Sequence, residues 1–239
     1  MKRNFFYSIL AAGLFTAAFF SPCLSSLPAN AEEQQNVQAD ASAEAGDTEQ
    51  LKTLLEDSGF VVQQGTFYEL DTIKAASEGK LLSCFGNNAG SSYMVFDLPE
   101  APDQEIPNPT FPPAGWQYKL CQDEALVLVT PLPSESVYYS FVNYIMFTEQ
   151  KVGKDYTNEA GFFSAGDETT GLYHPIFGSI GEPVNMLNIK HDGGSAFGTT
   201  AVLVISANQT VTDQVTEQLH AAGFDDSMIN VMPIPAETY

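Results

Sequence analysis

Three histidines, His174, His191 and His220, are the side chains of this sequence that trade protons near neutral pH. His191 opens "HDGG", so His191 and Asp192 together form the simplest base-and-orienter pair the chain contains. His174 precedes Pro175, and His174 with His191 is the alternative as a pair of metal ligands. Neither has the i, i+4 partner that places two imidazoles on one face of a zinc helix. His220 falls off the apolar stripe of its helix and reads as a solvated residue. Structural loop histidines are therefore the working reading for His174 and His191, with His174, His191 and Asp192 kept as candidate catalytic residues.

Other reaction classes find less support. "FGSIG" around Ser179 lacks the first glycine of a G-x-S-x-G nucleophile elbow. Asp123 and Glu124 are adjacent, which on a strand sends them to opposite faces unless the backbone turns there. "HDGGSAFGTT" is glycine-rich but precedes a strand, the wrong order for phosphate at a helix N-terminus. No cofactor loop and no metal spacing is read. "AGDETTG", around Asp167 and Glu168, is a polar loop, and calcium there is a minor alternative in a chain without EF-hand spacing.

The compartment follows from the first residues. Lys2 and Arg3 precede the apolar run Phe5 to Phe20, and Ala29-Asn30-Ala31 supplies a small-x-small cleavage pattern. Residues 1–31 thus read as a signal peptide, with Glu32 as the mature N-terminus. Sixteen apolar-leaning residues are short for a membrane span, which needs about twenty. Pro22 before Cys23 does not fit a lipid-anchor motif. The 239-residue chain carries 30 acidic and 9 basic residues, a formal charge of −21. Two basic residues and no acidic ones leave with the leader, so the mature charge is −23. Such a field repels nucleic acids and anionic lipid surfaces. The expectation is a secreted or cell-envelope exterior domain without a membrane span after cleavage. Its partner would be an unknown extracellular ligand or protein. Export leaves Cys84 and Cys121 as the two mature cysteines, and an oxidising compartment favours a bridge between them. Its loop would stabilise the fold by roughly 4 kcal/mol. A catalytic thiol is the competing reading.

Residues 32–46 are polar and alanine-rich, a flexible acidic leader, and 47–239 read as a single globular domain. Asp47 caps a helix with Leu51, Leu54 and Leu55 on one face and Gly59 as terminator. Phe60 to Leu70 reads as strand, turn and strand, Asp71 to Glu78 as a short helix, and Ser92 to Leu98 as a strand. Pro99 to Gly115, with six prolines, is a surface loop. Trp116 to Leu120 and Ala125 to Thr130 read as strands, the second apolar enough to be central. "SVYYSFVNYIMF", Ser136 to Phe147, has five aromatics and no charge. It is expected to be a strand covered on both faces, with Tyr139, Phe141, Val142 and Ile145 buried. Lys151 to Gly171 reads as a long polar excursion, and His174 to Ile189 as turns ending in a short apolar element. At the C-terminus "TTAVLVISA", a helix boxed by Thr210 and Asp213, and "MINVMPIP" form a βαβ unit. "TEQL" occurs at Thr48 and at Thr216. Its leucines lie eight and four residues from the terminal glycines, so no repeat is read. The fold class expected is α+β, a central mixed sheet with a C-terminal βαβ unit and a few short helices.

The succession "GWQYKLCQDEALVLVTPLPSESVYYSFVNYIMF", "FGSIGEPVNMLNI", "VLVISANQTVTDQVTEQLHAAG" and "INVMPIP" resembles an uncharacterised group of exported proteins. In that group the chain continues past the equivalent of "MPIPAETY", which would make this sequence one module or a truncated frame. The resemblance implies export but carries no activity and no catalytic residue. A non-catalytic ligand- or partner-binding module is the functional expectation. The alternative is a secreted hydrolase built from dispersed His and Asp/Glu residues.

Overall fold

Ala125, Val127 and Val129 alternate with Leu126, Leu128 and Thr130, and all six are buried in strand β4 (Ala125–Pro131). A strand apolar on both faces needs a cover on each, and this requirement organises the molecule. The computed structural model describes residues 4–10, 46–79, 93–99, 118, 120–149, 155, 165–167 and 171–235. Besides β4 these form strands β1 (Asn4–Leu10), β2 (Phe60–Leu70), β3 (Tyr93–Asp97), β5 (Ser140–Glu149), β6 (Ala165–Asp167), β7 (Gly171–Asn185), β8 (Thr200–Ser206) and β9 (Ile229–Pro233). The helices are α1 (Thr48–Asp57), α2 (Thr72–Ser77) and α3 (Gln209–Ala221). The main sheet runs β3-β2-β1-β4-β8-β9 and a second sheet β5-β7-β6. The main sheet is mixed: β1 is parallel to β2 and β4, β4 antiparallel to β8, and β8 parallel to β9. The expected α+β class and the C-terminal βαβ unit are both present.

One face of the main sheet meets the helices. Val127, Val202, Val204 and Ile229 pack with Leu51 and Leu55 of α1, Val215 and Leu219 of α3, and Phe60 and Phe224. Each of these side chains stabilises by about 1.5–3 kcal/mol on burial. The opposite face, with Leu126, Leu128, Leu203 and Met232, is closed by Tyr139, Phe141 and Ile189. Helix layer, main sheet and small sheet thus stack as three layers, with β4 at the centre.

Asp47 caps α1 as expected, its carboxylate accepting from Glu49 N (2.9 Å) and Gln50 N (3.0 Å). α3 begins earlier than the Thr210–Asp213 box implies. Asn208 is the cap, accepting from Thr210 N at 2.9 Å, while Asp213 accepts from Gln209 Nε2 at 2.8 Å. Both helices end on a left-handed glycine, Gly59 (φ 91°) and Gly223 (φ 89°), where a Cβ would be strained. Each is followed by a buried phenylalanine. Aligned on these glycines, Thr48-Glu49-Gln50-Leu51, Leu55 and Ser58-Gly59-Phe60 match Thr212-Asp213-Gln214-Val215, Leu219 and Ala222-Gly223-Phe224. The two helix ends thus share a local pattern, but their starts do not align: the Asp47 cap falls opposite Val211, inside α3. The start of α1 meets the end of α3, where Asp47 N donates to Ala222 O at 3.0 Å. A side chain on Gly46 would come within 2.6 Å of that same carbonyl and 2.7 Å of the Phe224 ring.

Several segments depart from the sequence reading. Phe60 to Leu70 is one unbroken strand: Phe60–Gly65 pairs with β1 and Thr66–Leu70 with β3. Gly65 makes no turn. It leaves room for Asp97 O and Leu98, which a Cβ would approach to within 2.5 Å. His174 to Asn185 belongs to the 15-residue β7, not to a set of turns. It crosses its two prolines with register shifts against β5 and a left-handed Gly181 (φ 72°). Part of the expected polar excursion is also ordered: Asp167 pairs with Gly171 in a β6–β7 hairpin. Only Ser140 onward of the aromatic stretch is strand; Tyr139 just before it and Phe141 within it are buried, and among the described residues the strand is covered on one side. Tyr144 is 58% exposed, and Val142 and Ile145 are half-buried. Among the described residues nothing stacks beyond the small sheet. Residues 1–31 read as a removable leader, yet Asn4–Leu10 stands in the sheet between β2 and β4. Cys84, the proline-rich loop beyond Pro99, and Trp116 lie outside the described residues.

Candidate functional site

The residues singled out for chemistry are dispersed. His191 follows Ile189 in the loop leading to β8, and Asp192 holds that loop shut. Asp192 Oδ1 accepts from Thr200 N at 2.6 Å, and its own N–H donates to Thr200 O at 3.0 Å. The Asp192 carboxylate is thus bonded to backbone, and His191 Nδ1 is buried with no partner among the described residues. His174 sits in β7 opposite Thr148, on the small sheet. His220 is exposed but not solitary: its Nε2 is 3.0 Å from Asp226 Oδ1, beside an open depression of about 420 Å³ at the end of α3. An exposed pair of this kind adds little stability. Cys121 is exposed. Among the described residues no group of three His, Cys, Asp or Glu side chains is placed to hold a metal ion. No helix among them is long and apolar enough to cross a membrane.

Glu124 is the buried carboxyl the sequence reading undervalued. Residues 121–124 do turn: Glu124 N donates to Cys121 O at 3.2 Å, and Cys121 N donates to Glu124 Oε2 at 2.6 Å. Ser206 Oγ donates to Glu124 O at 2.9 Å and accepts from Asn208 N at 3.2 Å, linking this turn to the cap of α3. Burial pushes the Glu124 carboxyl above the usual range, the Cys121 N–H opposes that, and Asp123 adds to it. A raised carboxyl favours folding in its protonated form, so its contribution is complete below about pH 4.5 and fades as pH rises through the folded value. Glu124→Gln keeps an acceptor for Cys121 N without the cost of burying a charge. Denaturant titrations from pH 4 to pH 8 should show a flatter profile for the variant, with equal or greater stability at pH 7. A loss at pH 7 would mean the ionised carboxylate is needed.

A second group converges where two loops meet at one end of the sandwich. Leu132 N donates to Thr199 O (2.7 Å) and Gly198 N to Pro133 O (2.8 Å), lacing residues 132–139 to residues 191–199. Tyr139 spans the seam, its hydroxyl donating to Ala196 O at 2.5 Å and its ring set edge-on to Phe197. Burial pushes the Tyr139 hydroxyl up to about 12, so it stays a donor throughout the physiological range. Met186 N donates to Tyr139 O at 3.3 Å, which brings the Asn185–Asn188 turn against the same strand end. That turn is tied by its own side chains, Asn185 N to Asn188 Oδ1 at 2.7 Å and Leu187 N to Asn185 Oδ1 at 2.9 Å. These contacts hold three apolar side chains outward: Val137 (62% exposed), Tyr138 (53%) and Leu187 (86%). In the same loops Ser136 Oγ and His191 Nδ1 are buried without a hydrogen-bond partner among the described residues. A buried polar atom normally has one. Sequence alone signalled Tyr138 as aromatic but not its exposure, and gave no sign that Leu187 would join it.

No known family, curated protein or solved structure matches this chain.

Proposed function

We propose that the protein is an exported, non-catalytic binding module that engages an extracellular ligand or protein partner. Its leader is removed after Ala31, and Cys84 is bridged to Cys121. The observation that carries the binding reading is the projection of Val137, Tyr138 and Leu187 from one rigidly tied loop end. Apolar side chains this exposed contribute nothing to the core, whereas an aromatic at the centre of a contact contributes strongly to binding. The strongly acidic surface favours a neutral or basic counterpart.

The test compares the secreted wild type with a Tyr138→Ala, Leu187→Ser variant on arrays of glycans and of extracellular peptides. A ligand retained by the wild type and weakened at least about tenfold in the variant, at unchanged melting temperature, is the expected result. Turnover of an esterase, glycosidase or peptidase substrate that disappears in His191→Ala would overturn this reading in favour of a hydrolase.

A further inference from the structure

α1 and α3 meet through the Asp47–Ala222 bond, and each is followed by its own strand, β2 and β9. α3 is also preceded by β8, which lies next to β9 and parallel to it. The equivalent position beside β2 is held by Asn4–Leu10, in parallel register from Asn4 opposite Phe60 to Ile9 opposite Gly65. On its other edge the same strand pairs with Ala125–Val129. Every residue that fills this position precedes Ala31. We infer that the processed protein is a strand acceptor, whose slot between β2 and β4 takes an extended, uncharged, apolar segment of about seven residues from a partner chain, parallel to both neighbours. This rests on the proposed removal of the leader.

Two features favour an open slot over closure by direct β2–β4 pairing. β2 is tied to α1, and α1 is seated against α3 through the Asp47–Ala222 bond and the contact of Gly46 with Phe224. Moving β2 across by one strand, about 4.8 Å, would break that seam. The occupant must also be apolar on both faces, because β4 beside it is buried against the helices on one side and against Tyr139 and Phe141 on the other. A charged or proline-containing segment would fail, the second because it lacks a donor.

Amide exchange with a peptide spanning Lys2–Leu10 tests the slot. In the full chain, Tyr7→Pro should speed exchange of the slot-edge amides of Phe60–Gly65 and Ala125–Val129 by at least about tenfold, and the peptide added in trans should restore slow exchange. The mature chain, Glu32–Tyr239, should bind the same peptide saturably, whether it folds alone or only on binding. Wild-type exchange in Tyr7→Pro overturns the proposal, as does a mature chain whose slot-edge amides of β4 are already slow and which ignores the peptide. N-terminal sequencing of the exported protein separates the two readings. A chain still beginning at Met1 keeps the slot filled by its own leader, whereas the exchange results fail only if the slot itself closes.

Discussion

Phe224→Ala will lower the unfolding free energy by about 3–5 kcal/mol, the range for truncating a fully buried aromatic. Phe224 is 1% exposed and stands where three parts of the helix face meet. Its N–H donates to Leu219 O at 2.9 Å, fixing the exit from α3. Its ring lies against Gly46 at the start of α1, and its cluster includes the inward valines of β4 and β8. Truncation therefore opens a cavity between the helices and loosens their seam together. Phe60→Ala should cost a comparable amount, since Phe60 is 4% exposed in the same cluster. Denaturant unfolding of both variants checks this. Losses under about 1 kcal/mol would show that the helix layer is not seated as described.

Asn230→Asp will destabilise by about 3–5 kcal/mol at pH 7, and less at pH 4. Asn230 is a buried amide in β9. Its Nδ2 donates to Lys190 O (2.8 Å), Val202 O (3.1 Å) and Met228 O (3.1 Å), and its Oδ1 accepts from Lys190 N (2.7 Å). A carboxylate there directs negative charge at three carbonyl oxygens and supplies no donor. Protonation removes the charge and restores one donor, so the deficit should shrink as the solution is acidified. A deficit that does not change with pH would place the effect elsewhere. Because Asn230 ties Lys190 to the sheet, the variant should also increase amide exchange in the His191 loop.

Much of the frame was legible because local rules and tertiary demands agree in it. Asp47 and Gly59 bracket α1, Ala125–Thr130 is apolar on both faces, and β8, α3 and β9 follow one another with short joins. Where they disagree, the sequence misled. Gly65 carries a turn signature, but the pairing of β2 with two different strands keeps it extended. Pro175 and Pro183 suggest turns, yet β7 accommodates both through register shifts. The aromatic strand shows how far composition reaches: Tyr139 and Phe141 are core, while Tyr138 and Tyr144, alike in type, face outward. Only tertiary placement separates them. The candidate surface was less legible still, because Val137–Tyr138 and Leu187 lie at the end of the β5–β7 pairing, which joins segments distant in sequence. Glu124 and Asn230 carry no motif at all. Their importance comes from burial.

The pairing of β4 with β8 joins residues about 75 positions apart. At 5–20 residues per second, roughly 4–15 s of synthesis separate the appearance of these partners. Throughout that interval β4, buried on both faces in the finished fold, is without its antiparallel neighbour, and the closure that finally supplies one is slow for a contact of such long range. The same topology that makes the finished sheet cohesive thus leaves its centre open on one edge until β8 has been made.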